Sequence, residues 1–269
     1  MSKQDTQAPR TGPQDGSRSE QLDRPDRDII LYHFPISTCS QKVRLALAEK
    51  KLGYESRIVD LLAGEQTSEA YLAVNPNGVV PTLVHDGHVV VDSSVICEYL
   101  DDVFPNPPLG PASSIERARM RAWMRYLEEV PTVAIRAPSL NKLLSNGRLF
   151  SDARPGGDAF AERTGKMPLR KHFYREMGPD GFRAAMVEAS LDSLRSTLER
   201  AERALDGSPY LIGAFSMADI LLLPTVVRME DLKIDGLWHD LPNVANWYAR
   251  CKARPSFDVA YFSGCRLPN

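Results

Sequence analysis

The stretch LYHFPISTCSQKVRLALAEKKL, residues 31–52, decides how the rest of the chain is read. It begins as a short apolar run, passes through a hydroxyl-rich turn, and continues as a helical pattern with Val43, Ala46 and Leu47 at i, i+3 and i+4. Ser37, Thr38, Cys39 and Ser40 crowd the junction. Their side chains and backbone N–H groups fall at the positive end of a helix, a place that suits an anion.

The neighbouring segments extend this β-α start. DIILYHF reads as a buried strand and YESRIVDL, residues 54–61, as a second one, with a short helix within 67–74. In GVVPTLVHDGHVVVDSS two apolar runs flank His85-Asp86-Gly87-His88, and Asp-Gly between alternating hydrophobics signals a hairpin. Ser93 or Ser94 can cap a helix that carries Val95, Ile96, Tyr99, Leu100 and Val103 and is stopped by Pro105. The order β-α-β-α-β-β-α is that of a thioredoxin-like α/β domain.

Beyond it, FPNPPLGP (104–111) is proline-dense and reads as a linker. Helical spacing follows over 115–136, with Trp123, Met124, Leu127 and Val130, and over 182–205, with Met186, Leu194 and Leu198. Ser216 and Asp219 in SMAD form a capping box with Asp in the place of Glu, opening an apolar helix. The polar segment 145–180 reads as an excursion with short helix. The expected organisation is an arm over 1–28 with too few large apolar residues to order, a thioredoxin-like domain over 29–104, a linker over 105–113 and an all-α domain over 114–269.

Composition excludes several classes of function. A formal net charge of −2 with 25% charged residues provides no polybasic surface for nucleic acid. Cys39, Cys97, Cys251 and Cys265 form no C-x-x-C pair, which fits reduced thiols in a cytoplasm. The five histidines lack metal-ligand spacing, so no metal is expected. Neither a signal-peptide core nor a run of ~20 apolar residues is present, so no membrane partner is expected.

STCSQKVRLAL, NPNGVVPTL with Pro81 ahead of the hairpin, DSSVICEYL and SMAD, in that order, resemble the cytosolic glutathione transferase family from about Ile29 onward. The SxCSxxVRxAL pattern is similar to the zeta class. VVVDSSVICEYLDDVFP and the long excursion look more like bacterial glutathione-dependent β-etherases. The resemblance implies glutathione as co-substrate, a hydrophobic small-molecule electrophile as partner, and a homodimer.

It also assigns the anion at the helix start, the cysteinyl thiolate of glutathione. A free thiol titrates near pKa ~8.5, and lowering that by ~2 units takes about 2.7 kcal/mol. A hydrogen bond to a charged acceptor supplies roughly 1.5–3 kcal/mol and a helix N-terminus about 0.3–1 more, so one hydroxyl suffices. The resemblance places Ser37 at the reactive position with Ser40 as the alternative, and Thr38 and Cys39 as glutathione contacts beside them. In the β-etherase-like pattern Cys39 and Ser40 form the sulfur-contacting pair.

Val80 and Pro81 match the family's cis-proline loop, whose backbone pairs with the tripeptide. Asp92 and Ser93 match the pair that holds the γ-glutamyl end. Lys50, Gln66 and His85 are candidates for the glycyl carboxylate. Trp123 and Tyr126 are candidates for the hydrophobic substrate site. The basic residues of RTGKMPLRKHFYR (163–175) read as a solvated charge run in preference to an acid-binding group. The function expected is attack of activated glutathione on an aromatic electrophile, with β-aryl ether cleavage as the narrower form. A zeta-like cis-trans isomerase, a non-catalytic binder of hydrophobic ligands and a Cys39-dependent deglutathionylating enzyme are the alternatives.

Overall fold

The structure is a computed structural model, and it describes residues 29–147 and 157–267. The arm expected over 1–28 and part of the excursion lie outside the described residues.

The N-terminal unit has a four-stranded sheet in the order β2-β1-β3-β4. Strand β1 (Ile29–His33) pairs parallel to β2 (Glu55–Ile58) and antiparallel to β3 (Thr82–His85), which pairs antiparallel to β4 (His88–Val91). Helix α1 (Thr38–Glu49) joins β1 to β2, and a 3-10 turn (Glu65–Thr67) with α2 (Glu69–Leu72) leads towards β3. The expected hairpin is present. Its central residues Asp86 and Gly87 have φ of 50° and 78°, the positive pair that a two-residue turn of this kind needs.

Helix α3 (Ser93–Val103) closes the unit, but its cap is neither Ser93 nor Ser94. Asp92 takes that place, with Oδ1 accepting from the N–H groups of Ser94 (2.9 Å) and Val95 (3.2 Å). A carboxylate one residue earlier reaches the orphan donors of the first turn, so neither serine is needed there.

The second unit is helical: α4 (Ser114–Glu129), α5 (Pro131–Ala134), α6 (Arg136–Ser145), α7 (Gly157–Arg163), α8 (Pro168–Arg175), α9 (Ala184–Ala204), α10 (Met217–Asp231), α11 (Pro242–Lys252) and α12 (Pro255–Ala260). The single helix expected over 115–136 is broken at Val130-Pro131 and restarts as α5 and α6. Proline lacks an N–H to continue the ladder and is at home in a first helical turn. The capping box at the start of α10 is formed as expected: Asp219 accepts from the Ser216 N–H at 3.0 Å, while its other oxygen accepts from Trp247 Nε1 at 2.8 Å.

Both units share one core. Leu31, Val43, Leu47 and Ile96 from the first and Met120, Leu127, Leu221 and Trp247 from the second belong to one buried cluster. Two cations of α1 are buried in the junction. Lys42 Nζ donates to Glu128 (2.7 Å) and Thr132 (2.9 Å), and Arg44 donates to the carbonyls of Pro35 (2.8 Å) and Ala260 (3.0 Å). Such charges are tolerated because Lys42 is paired with a carboxylate and every nitrogen of both groups has a hydrogen-bond partner, the Arg44 Nη1 on His33 Nδ1 included. No helix among the described residues is long and apolar enough to cross a membrane.

Candidate active site at the end of the sheet

The ladder pairs Tyr32 with Thr82 and Thr82 with Val91. The chain therefore leaves β1 towards α1, enters β3 from Val80-Pro81, and leaves β4 towards Asp92 at one end of the sheet. Ser37, Thr38, Cys39 and Val80 line a cavity of about 180 Å³ there. Its other wall comes from the helical unit: Ile135, Arg136, Ser139, Leu140 and Leu143 of α5–α6, Phe160 of α7, Arg170 and Tyr174 of α8, and Arg228 of α10.

Ser37 is the N-cap of α1, and its Oγ accepts from the Ser40 N–H at 3.3 Å. A serine hydroxyl has one hydrogen and two lone pairs, so this cap leaves the O–H free to donate. Among the described residues no hydrogen bond engages the N–H groups of Thr38 or Cys39, the orphan donors of the first turn. The cavity floor thus offers one hydroxyl and two backbone donors to an anion. Ser40 is different. It is fully buried, lines no part of the cavity, and its Oγ accepts from the Phe34 N–H at 3.3 Å, which fixes the β1–α1 loop.

The Val80–Pro81 peptide is cis. The preceding carbonyl, Val79 O, is held by Tyr71 Oη (2.7 Å) and Asn75 Nδ2 (2.9 Å), while no hydrogen bond among the described residues uses the N–H or C=O of Val80. A free backbone pair beside a sheet end is what an extended peptide needs to add itself as a strand, so these residues fit a tripeptide.

Asp92 and Ser93 sit at the same sheet end but line no part of this cavity. Asp92 is exposed, faces a second recess with Ser94 and Glu129, and has a φ of 74°, sparsely populated outside glycine. Ser93 is buried.

Of the three candidates for the glycyl carboxylate, Gln66 alone lines the cavity. Its Nε2 donates to Arg163 O at 2.5 Å, and its buried Oε1 has no hydrogen-bond partner among the described residues. Lys50 is consumed by Asp101 Oδ1 (2.6 Å) and the carbonyls of Phe104 (2.7 Å) and Pro107 (2.8 Å), a clamp between α1 and the proline-rich connection. His85 lies between Tyr99, whose hydroxyl is 2.7 Å from Nδ1, and the Phe104 ring.

Trp123 and Tyr126 lie outside the cavity. Their face of α4 turns to α9, where Arg200 stacks on both rings at 4.8 and 4.1 Å and Tyr126 Oη meets Thr197 Oγ1 at 3.0 Å. The break at Pro131 redirects the chain, so α5 and α6 take the position that an unbroken α4 would have had to fill. In the basic run, Lys166 and Lys171 pair with Glu162 and Arg175 with Asp158, but Arg170 lines the cavity.

Sequence reasoning passed over Arg136 and Arg228. Arg228 stands in the apolar run ILLLPTVVRM, and a lone cation there is a readable signal of a buried polar contact. Its guanidinium donates to Ile36 O and to Ser139 Oγ (3.3 Å) and lies 3.7 Å from Asp231, which anchors the loop ahead of α1. Burial, and then the nearby Arg170 charge, pull the Arg136 guanidinium below its usual pKa. No group of three or more potential metal ligands occurs among the described residues.

Residues 31–108 match the glutathione S-transferase N-terminal domain and residues 184–250 the glutathione S-transferase C-terminal domain. The chain is 31% identical to the protein LigF of a Sphingobium species over 247 residues, 85% of this chain and 91% of that one. The crystal structure of that β-etherase superposes with a TM-score of 0.70 at 28% identity, covering 87% of this chain and 98% of that one. A glutathione S-transferase TCHQD of Arabidopsis thaliana is 29% identical over 251 residues, 88% of this chain and 91% of that one. A maleylacetoacetate isomerase of Dictyostelium discoideum is 43% identical, but over only 104 residues, 38% of this chain and 48% of that one. With the Ser37 O–H and two N–H groups at the start of α1 and the backbone of Val80 left unengaged among the described residues, and with these matches along both units, the chain belongs to the glutathione S-transferase family.

Proposed function

We propose that the enzyme uses Ser37 to hold glutathione as its thiolate and directs the sulfur at a small aromatic electrophile, with cleavage of a β-aryl ether as the reaction. The observation that carries this reading is the convergence of the Ser37 hydroxyl, the Thr38 and Cys39 N–H groups and the Val80 backbone on one cavity whose opposite wall offers Leu140, Leu143, Phe160 and Tyr174 to a ring. The hydroxyl donates to sulfur and does not act as a base, because serine is far too weak an acid to give up its own proton. Val80 pairs with the cysteinyl backbone, Asp92 and Ser93 receive the γ-glutamyl end, and Gln66 faces the glycyl end. The thiolate attacks the carbon of the ether, a carbon–sulfur bond forms, and the carbon–oxygen bond breaks to release a phenolate.

The likeness to LigF covers 85% of this chain, whereas the likeness to the isomerase covers 38% of it, which favours displacement over isomerisation. Family membership supports a homodimer, and four unpaired cysteines support a cytoplasmic setting. The test is stoichiometry with β-aryl ether model compounds. One glutathione consumed per phenol released supports the reading. Turnover of a cis double bond without net consumption of glutathione would replace it by isomerisation, and glutathione binding without turnover of either substrate would leave a carrier.

A further inference from the structure

We propose that the helical wall of the cavity selects an aromatic electrophile bearing a carboxylate, with Arg136 and Arg170 as the residues that recognise the anion. This rests on the transferase reading and narrows its substrate class. Three arginines and no Asp or Glu are among the described residues lining the cavity. Arg228 is committed to Ile36 O, Ser139 and Asp231. The guanidinium groups of Arg136 and Arg170 have neither a hydrogen bond nor an ion pair among the described residues.

The contrast with their surroundings is informative. On α8 itself Lys171 and Arg175 find carboxylates at 2.7 and 2.6 Å. Acids close to the cavity are already spent, Glu128 on Lys42 at 2.7 Å and Asp231 on Arg266 at 2.5 Å. Two half-buried guanidinium groups of one wall, each within the other's field, repel, and an anion between them removes that cost. Arg136 shares the cavity lining with Cys39 at the thiol end and with Arg170 of α8. The apolar residues beside the two arginines, Leu140, Leu143, Phe160 and Tyr174, suit a ring, and a guanidinium grips a carboxylate through two parallel hydrogen bonds. The groups assigned to the tripeptide backbone and thiol come instead from the N-terminal unit.

The probes are 4-chloro-3-nitrobenzoate and its uncharged primary amide, each with glutathione. In both, the thiolate adds at the carbon bearing chlorine, the carbon–sulfur bond forms, and chloride leaves with the bonding pair while the thiol proton goes to solvent. The wild type should prefer the acid in kcat/KM. Charge-assisted hydrogen bonds of roughly 1.5–3 kcal/mol correspond to about a 10- to 100-fold fall in that preference in Arg136→Gln or Arg170→Gln, with Arg136→Lys keeping part of it. Equal use of acid and amide by the wild type overturns the proposal. So does a loss that appears in KM for glutathione, which would give the arginines to the tripeptide. If neither compound is conjugated, calorimetric titration with 4-nitrobenzoate and 4-nitrobenzamide separates the two readings. Binding of the acid alone, lost in the glutamine variants, keeps the anion site whatever the β-aryl ether test returns, and equal binding overturns it.

Discussion

Replacing Ser37 by Ala should raise the pKa of the bound glutathione thiol. In the structure the hydroxyl accepts from the Ser40 N–H at 3.3 Å and keeps its own hydrogen for sulfur. A hydrogen bond to a charged acceptor contributes roughly 1.5–3 kcal/mol, which at about 1.4 kcal/mol per unit is a rise of one to two pKa units in the variant. The return towards the free thiol should be incomplete. The N–H groups of Thr38 and Cys39 remain, and a helix N-terminus retains about 0.3–1 kcal/mol. The assay is the ultraviolet absorbance of thiolate in the glutathione complex against pH. Turnover near pH 7 should fall about 3- to 25-fold in proportion to the lost thiolate, and much less at a pH above both values. Ser37→Ala also removes the cap of α1, about 1 kcal/mol of stability, so Ser37→Thr, which keeps a hydroxyl, separates thiol activation from capping. An unchanged thiol pKa in Ser37→Ala refutes the assignment. A full-sized rise in Ser40→Ala instead would mean that the buried hydroxyl facing Phe34 N is the donor.

Other perturbations probe the frame around that site. Lys50→Met removes an ammonium with three partners and leaves Asp101 without its cation, held by the Leu109 N–H, so a loss of about 3 kcal/mol is expected in urea unfolding; a change below about 1 kcal/mol would remove the clamp from the account. Burial, with help from Arg44, depresses the His33 pKa from 6.5 to about 3, leaving a neutral ring that accepts from Arg44 at Nδ1 and donates to Ser56 from Nε2. The unfolded chain therefore binds the extra proton between these values, and stability is full above pH ~6.5 and declines as pH falls towards ~3. By pH 4 the decline reaches about 3 kcal/mol, and His33→Gln should flatten this slope in acid-unfolding curves. Leu140→Ala should raise KM for an aromatic electrophile several-fold, whereas Tyr126→Phe should leave it unaltered; the opposite pattern would return the substrate site to α4.

The N-terminal unit was largely legible because its signals are local. Asp86-Gly87 encodes its own turn, Ser37 its own cap, and the run from Val43 to Leu47 its own buried face. The site splits along the same line. Ser37, Thr38, Cys39 and Val80 meet because strand ends bring them together, and that order can be read along the chain. Trp123 and Tyr126 show the limit: helical periodicity tells which face of α4 is covered, but not that α9 covers it. Arg136 was invisible for a related reason, since its place depends on where Pro131 redirects the chain. Arg170 looked like its neighbours Lys171 and Arg175, and only the fold distinguishes a cation aimed at a cavity from cations paired at the surface.

Residues 260–267 are fastened to α1, far across the sequence, and to the end of α10. Gln41 Nε2 donates to Cys265 O at 2.8 Å, Arg44 Nε donates to Ala260 O at 3.0 Å, and Leu267 N–H meets Asp231 at 3.2 Å. Synthesis delivers the N-terminal unit first, and isolated domains usually fold as they emerge. Here the helix that presents Ser37 would emerge with both acceptors of Lys42, Glu128 and Thr132, and one acceptor of Arg44, Ala260 O, still unmade. Until residues near 265 leave the ribosome, the thiol-binding corner stays incomplete. A fragment ending in the proline-rich connection would therefore be a poor glutathione-binding module, and a shortened carboxyl terminus would act on the active site from more than 200 residues away.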